Sequence, residues 1–292
     1  RWDDAVPCRL RLSYWKDEGW RGLAWTAADV GWRAAAPGIV VELFLDSAGD
    51  HWRYRLSFEA DFLTRVRVSV EMPGLRDPFH LIPGNVFGDN NLEHAEPGHF
   101  PNLTRRFPGN VSCSTYWEFR ADRAPLPVSL LSGATGMAAV AIDPYSPAAP
   151  GLTDSREGFI RNGVCADLGD GMEAPSCGVT LGYRNVPRTF INKDQWGEST
   201  GHLARLGTAG GWIFWRPSSD RREAHAILRR LYDLLRRPPQ PRISRAEGLA
   251  ALTEAFLRVN WQPDREHFTN MRCIDPAKKQ LTPWRTLAEV GW

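Results

Sequence analysis

The chain has 292 residues, 42% of them apolar and 24% charged, with a formal net charge of +2. These totals describe an ordinary globular protein with one large domain, or a large one and a small one. They argue against a dedicated nucleic-acid surface, and no apolar run reaches the length of about 18 residues that spans a membrane as a helix.

The opening segment, RWDDAVPCRLRLSYW, does not have the form of a signal peptide. Five cysteines (Cys8, Cys113, Cys165, Cys177 and Cys273) are odd in number and widely spaced, without a CxxC pair. They make neither a disulfide framework nor a zinc pattern, so a reduced, cytoplasmic protein is expected. The sequons at Asn102 and Asn110 are then chance matches. Tryptophan is the compositional outlier, with 13 residues, six of them (Trp2, Trp15, Trp20, Trp25, Trp32 and Trp52) at the start of the chain. Indole rings fill large β cores and also offer flat platforms to sugar rings. Core packing is the expected use of most of them.

From residue 8 to residue 215 the pattern is one of strands and turns. RLRLSYW, GIVVELFLD, HWRYRLSFEA, TRVRVSVEM, STYWEFRAD, PVSLLSG, GMAAVAID, CGVTLGY and GWIFWRP are short runs rich in β-branched and aromatic residues. SAGD, MPGL, SGATG and DLGDG separate them as turns. Alternation places Trp52, Tyr54, Leu56 and Phe58 on one face and Arg53, Arg55, Ser57 and Glu59 on the other. Val66, Val68, Val70 and Met72 point inward in the same way. No helix separates the strands, which weighs against a βαβ fold and predicts a large antiparallel β-sandwich over residues 1–217.

The period changes at Ser218. SSDRREAHAILRRLYDLLRRPP has an N-cap serine, an apolar stripe at Ala224, Ile227, Leu228, Leu231, Leu234 and Leu235, and a proline stop. Its basic residues read as one solvated helix face. Ser244 and Glu247 form a capping box for a second helix carrying Leu249, Leu252, Phe256 and Leu257. Thr282 and Pro283 open a third. Residues 218–292 are therefore expected to be a helical linker and the beginning of an α-helical domain. With no initiating Met and a helix opening near its end, the sequence is expected to be part of a longer polypeptide.

The segment from Phe79 to Pro125 holds a long loop dense in Gly, Pro and Asn, and loops of this length are commonly functional. It gathers Asp89, Asn90, Asn91, Glu93, His94, Glu96 and His99, side chains suited to gripping a hydroxyl-rich ligand. A packed surface loop whose Asn and Asp residues satisfy its own turns explains the same composition. Glu93, His94, Glu96 and His99 lack both the HExxH arrangement and a calcium-loop spacing, and DLGDGMEAP lacks the full EF-hand pattern, so no metal is expected. Neither a nucleophile elbow, a Walker loop nor a dinucleotide fingerprint occurs, and no cofactor is expected. Gly207, Gly210 and Gly211 in GTAGGW read as a turn before a strand.

In YWEFRADR the two-residue period puts Tyr116, Glu118, Arg120 and Asp122 on one face, and Trp117, Phe119 and Ala121 on the other. An ion-pair ladder on the first face is one reading; support of the adjoining loop by Glu118 or Arg120 is the other. INKDQWGEST, with Trp196, is a further polar loop. The substrate-binding candidates are thus Asp89, Asn90, Asn91, Glu93, His94, Glu118, Arg120 and Trp196. An acid pair for glycoside cleavage needs two carboxyl groups flanking the bond, and spacing along the chain assigns none.

The order of parts, a large β-sandwich followed by linker helices and an opening helical domain, resembles glycoside hydrolases and phosphorylases with an (α/α)6 toroid, of the glucoamylase and disaccharide-phosphorylase kind. HLIPGNVFGDNN, YWEFRADRAPLPVSLL, IDPYS, GFIRNG and LGYRNVPRTFINKD are also similar to an uncharacterised bacterial family assigned to the glycoside hydrolases. The resemblance implies a supersandwich fold, an oligo- or polysaccharide substrate and a helical domain of the same polypeptide as partner. It implies catalytic carboxylates mainly in the toroid, with the sandwich shaping the sugar site and inactive alone. A non-catalytic carbohydrate-binding module and a purely structural sandwich are the alternatives.

Overall fold

The computed structural model describes residues 8–28, 31–75, 78–88, 102–103, 113–144, 162–169, 174–183, 203–236, 244–254, 257, 261–262 and 267–268. The strands are β1 (Arg9–Lys16), β2 (Gly19–Leu23), β3 (Trp25–Ala27), β4 (Trp32–Ala36), β5 (Ile39–Ser47), β6 (His51–Thr64), β7 (Val66–Glu71), β8 (Phe79–Ile82) and β9 (Val86–Phe87). They continue with β10 (Asn102–Leu103), β11 (Cys113–Ser114), β12 (Tyr116–Arg120), β13 (Val128–Gly133), β14 (Gly136–Ile142), β15 (Asn162–Asp167), β16 (Ser176–Leu181) and β17 (Ala204–Arg216). Helices α1 (Ala224–Leu235) and α2 (Arg245–Glu254) follow, then the short pair β18 (Trp261–Gln262) and β19 (His267–Phe268).

The protein is mainly β, as its alternating pattern predicts. One antiparallel sheet has six strands in the order β12-β15-β16-β7-β1-β2, and another has nine in the order β3-β4-β5-β6-β17-β14-β13-β8-β9. A single apolar cluster joins them. The six-stranded sheet contributes Leu12, Val66, Val68, Val70, Trp117, Phe119 and Val179; the nine-stranded sheet contributes Val41, Leu43, Tyr54, Leu56, Phe58 and Ile213. The expected inward faces of β6 and β7 are those observed.

Strands β13 and β14 and residues 211–214 of β17 are buried on both faces. Their alternate residues Val128, Leu130, Met137, Ala139, Ala141, Trp212 and Phe214 form a second cluster with Ala224, Ile227 and Leu231 of α1. The amphipathic stripe read from the sequence therefore docks on the back of the nine-stranded sheet. Asp220 rather than Ser218 starts this helix: its carboxylate accepts from the Arg222 amide and caps a short 3-10 turn that leads into α1. The helix stops at Leu235, and Arg236 is extended, as befits chain approaching a proline pair.

This docking moves the division of the chain. Compact units separate after Arg236, not at the expected boundary between 217 and 218, because α1 shares a core with the sheet. In the second unit the Ser244–Glu247 capping box forms in both directions. Leu249 and Leu252 of α2 are exposed. The expected third helix, after Thr282, lies outside the described residues.

One turn reading is corrected. Gly207, Gly210 and Gly211 lie inside β17, which pairs with β6 on one side and β14 on the other. A methyl group at Gly211 would sit 2.0 Å from the Ala141 carbonyl oxygen and 2.5 Å from the Tyr54 hydroxyl. The glycine is there for close packing, not for a turn.

A candidate functional site on the six-stranded sheet

Of the residues singled out by sequence, Asp89, Asn90, Asn91, Glu93, His94, Glu96, His99 and Trp196 lie outside the described residues. Glu118 and Arg120 are on β12, at one edge of the six-stranded sheet. Since Trp117 and Phe119 enter the inter-sheet core, Glu118 and Arg120 occupy the opposite face. That face is not open to solvent: Glu118, Arg120, Arg67, Ser69, Ser13 and Thr180 are all buried there.

Strand register lays this face out in rows. Arg120, Gly163, Thr180, Arg67, Ser13 and Gly22 follow one another across the six strands. The next row runs Glu118, Cys165, Gly178, Ser69 and Arg11. Two mid-strand glycines make room for the side chains around them. A methyl group at Gly163 would approach the Thr180 hydroxyl to 2.3 Å and Glu118 Oε1 to 2.9 Å, and one at Gly178 would meet the Ser69 Cβ at 2.9 Å.

Glu118 is the hub. Arg65 Nη1 donates to both of its oxygens at 2.7 Å, the Tyr116 hydroxyl donates to Oε2 at 2.7 Å, and the Thr180 hydroxyl to Oε1 at 2.9 Å. A carboxylate offers about four acceptor positions, so this one is fully used. The two-residue period left open an ion-pair ladder along β12 or support of the adjoining loop; the carboxylate pairs with Arg65, which stands at the entry to β7. Beside it, Arg67 Nη1 bonds Asp167 Oδ2 at 3.2 Å.

Two indoles close the cluster. The Arg65 guanidinium lies 4.6 Å from the Trp15 ring centroid and 4.7 Å from that of Trp20, and Arg67 lies 4.7 Å from Trp20. Trp15 and Trp20 themselves meet edge to face at 5.4 Å. Both rings are half-buried, so they form the rim where the arginines approach the surface. Cation–π contacts favour a desolvated guanidinium in this position.

The Tyr116 ring is half-buried with its hydroxyl turned inward. Burial first, then Cys165 and Glu118, hold its pKa well above the usual phenol range. It therefore stays protonated and serves Glu118 as a donor. Burial likewise pushes the Cys165 thiol up to about 12, and Cys8, Cys165 and Cys177 are free and buried. These are not nucleophiles. Among the described residues, no group of three or more His, Cys, Asp or Glu side chains is placed to hold a metal ion.

Sequence reasoning missed Arg65, Arg67, Asp167, Thr180 and the paired use of Trp15 and Trp20. The signal for the arginines was present in TRVRVSVEM, whose polar positions alternate with the valines, but alternation alone reads as a solvent face. No protein-family model matches the chain, and no curated protein does so.

Proposed function

We propose that this chain is the sandwich-and-linker part of a carbohydrate-active enzyme of the glycoside-hydrolase kind, shaping a sugar site whose catalytic carboxylates come from elsewhere in the polypeptide. The observation that carries this reading is the polar face of the six-stranded sheet, where guanidinium, carboxylate and hydroxyl groups lie beneath a tryptophan rim. Sugars are recognised by the same combination of hydrogen-bonding groups and aromatic platforms. Glu118 is a strut in this reading. All its acceptor positions are taken, which leaves none for a reacting proton.

A second reading is a purely structural sandwich, favoured by that same saturation of Glu118. A glycan-hydrolysis screen on the full gene product, with residues 1–292 run in parallel, separates the two. Hydrolysis by the full product alone is the expected result. Hydrolysis by residues 1–292 would move the acid pair into the sandwich, and no hydrolysis by either leaves the structural reading.

A further inference from the structure

We infer that the polar face of the six-stranded sheet is a binding site for a neutral, oxygen-rich ligand of the uncharged-sugar class, entered at the Trp15–Trp20 rim. This rests on the carbohydrate reading above and narrows it to a place and a ligand charge.

The first observation is a surplus of donors. Nε and Nη2 of Arg65 are buried and make no hydrogen bond, and the same holds for the Trp20 indole Nε1 and the hydroxyls of Ser13 and Ser69. Arg65, Ser13 and Ser69 are each only 1% exposed. Buried polar groups are almost always paired, and an unpaired one costs about 1–3 kcal/mol. Three N–H-bearing atoms and two hydroxyls on neighbouring strands therefore want acceptor oxygens. Glu118 cannot supply them, because its positions are full.

The second observation is that the arginines nearest the rim already carry ion pairs. Arg65 is matched by Glu118, Arg67 by Asp167 and Arg11 by Glu71. An anion would have to compete with carboxylates already in place. A neutral ligand bearing hydroxyl and ring oxygens meets the surplus donors without disturbing those pairs. The space over Gly163, Gly178 and Gly22 is taken up by Thr180, Glu118, Ser69 and Arg11, so the approach is at the border, where the two half-buried indoles supply a flat apolar edge.

The test uses the full 292-residue chain and intrinsic tryptophan fluorescence. Maltose, cellobiose, lactose and trehalose are titrated one at a time, with sodium sulfate as the anionic arm. A saturable change with at least one disaccharide and none with sulfate is expected. The double variant Ser13→Ala/Ser69→Ala should weaken that disaccharide about tenfold, and Trp20→Phe, which keeps an aromatic ring but loses the indole N–H, about fivefold. Thermal melting confirms that each variant folds. Unchanged affinity in both variants, a response to sulfate alone, or no response to any sugar overturns the inference. Hydrolysis by the full gene product beside a chain that fails this titration would sink the site while leaving the enzyme reading intact.

Discussion

Arg65 reaches Glu118 across two intervening strands, its Nη1 donating to both carboxylate oxygens at 2.7 Å with neither side chain more than 1% exposed. The pair fastens the edge strand β12 to the middle of the sheet. Desolvation makes such a pair a weak net stabiliser, but removing one partner strands the other. Glu118→Ala should therefore cost about 3–5 kcal/mol. The double variant Arg65→Met/Glu118→Leu should recover most of that, short of wild type, because Tyr116 and Thr180 lose their acceptor. Urea unfolding checks both, and a single variant within about 1 kcal/mol of wild type would contradict the strut role.

Gly163 is a second dependency of the same hub. Its missing side chain leaves the space in which the Thr180 hydroxyl and Glu118 Oε1 meet. Gly163→Ala should destabilise by about 1–3 kcal/mol, the usual range for overpacking. Adding Thr180→Ala should return part of the loss, since it removes the atom only 2.3 Å from the new methyl group. Thermal melting of the single and double variants reads this coupling, and strict additivity would mean the two positions do not share the space.

The sandwich was legible because β6 and β7 show a clean two-residue period, and α1 was legible from its apolar stripe and proline stop. What the pattern could not convey was the covering of a polar face. Arg67 and Ser69 alternate with core valines as solvent-facing residues do, yet both are buried. Burial of a sheet's second face depends on what lies over it, and that is not encoded in the strand's own period. The same limit hid Arg65 as a partner of Glu118, because an arginine three strands away in the sheet is remote in sequence. Glycines in β17 looked like a turn because close packing and turn formation both select glycine.

His80, on β8, is fully buried, and neither ring nitrogen meets a partner in hydrogen-bonding geometry. Burial lowers its pKa to about 3, while a nearby backbone group of Asp167 pulls weakly the other way. The unfolded chain takes up a proton near the ordinary value of about 6.5, and the folded chain does not. His80 therefore leaves stability untouched above that value and lowers it as pH falls toward 3, by about 1.4 kcal/mol per unit. The difference in unfolding free energy between wild type and His80→Leu, measured from pH 7.5 to pH 4, should shift in favour of the variant as pH falls. A difference independent of pH would show that His80 already binds its proton in the folded protein.

The β1–β2 hairpin carries both rim tryptophans and turns through Asp17 and Glu18, at φ 51° and 57°. Positive φ at both central residues is the geometry for which Asn-Gly is preferred, and a side chain in this region costs roughly 1–2 kcal/mol. Glu18→Gly removes that strain but loosens the unfolded chain by roughly 0.5–1 kcal/mol, so a net gain of about 0.5–1 kcal/mol is expected. Chemical denaturation measures it. A loss instead would show that contacts of the Glu18 side chain outweigh the strain. The edge-to-face contact between Trp15 and Trp20 depends on this turn, because the two rings face each other one residue pair beyond it. The stabilised variant should therefore keep the wild-type near-UV circular dichroism, whereas a turn that altered the register would separate the indoles and change it.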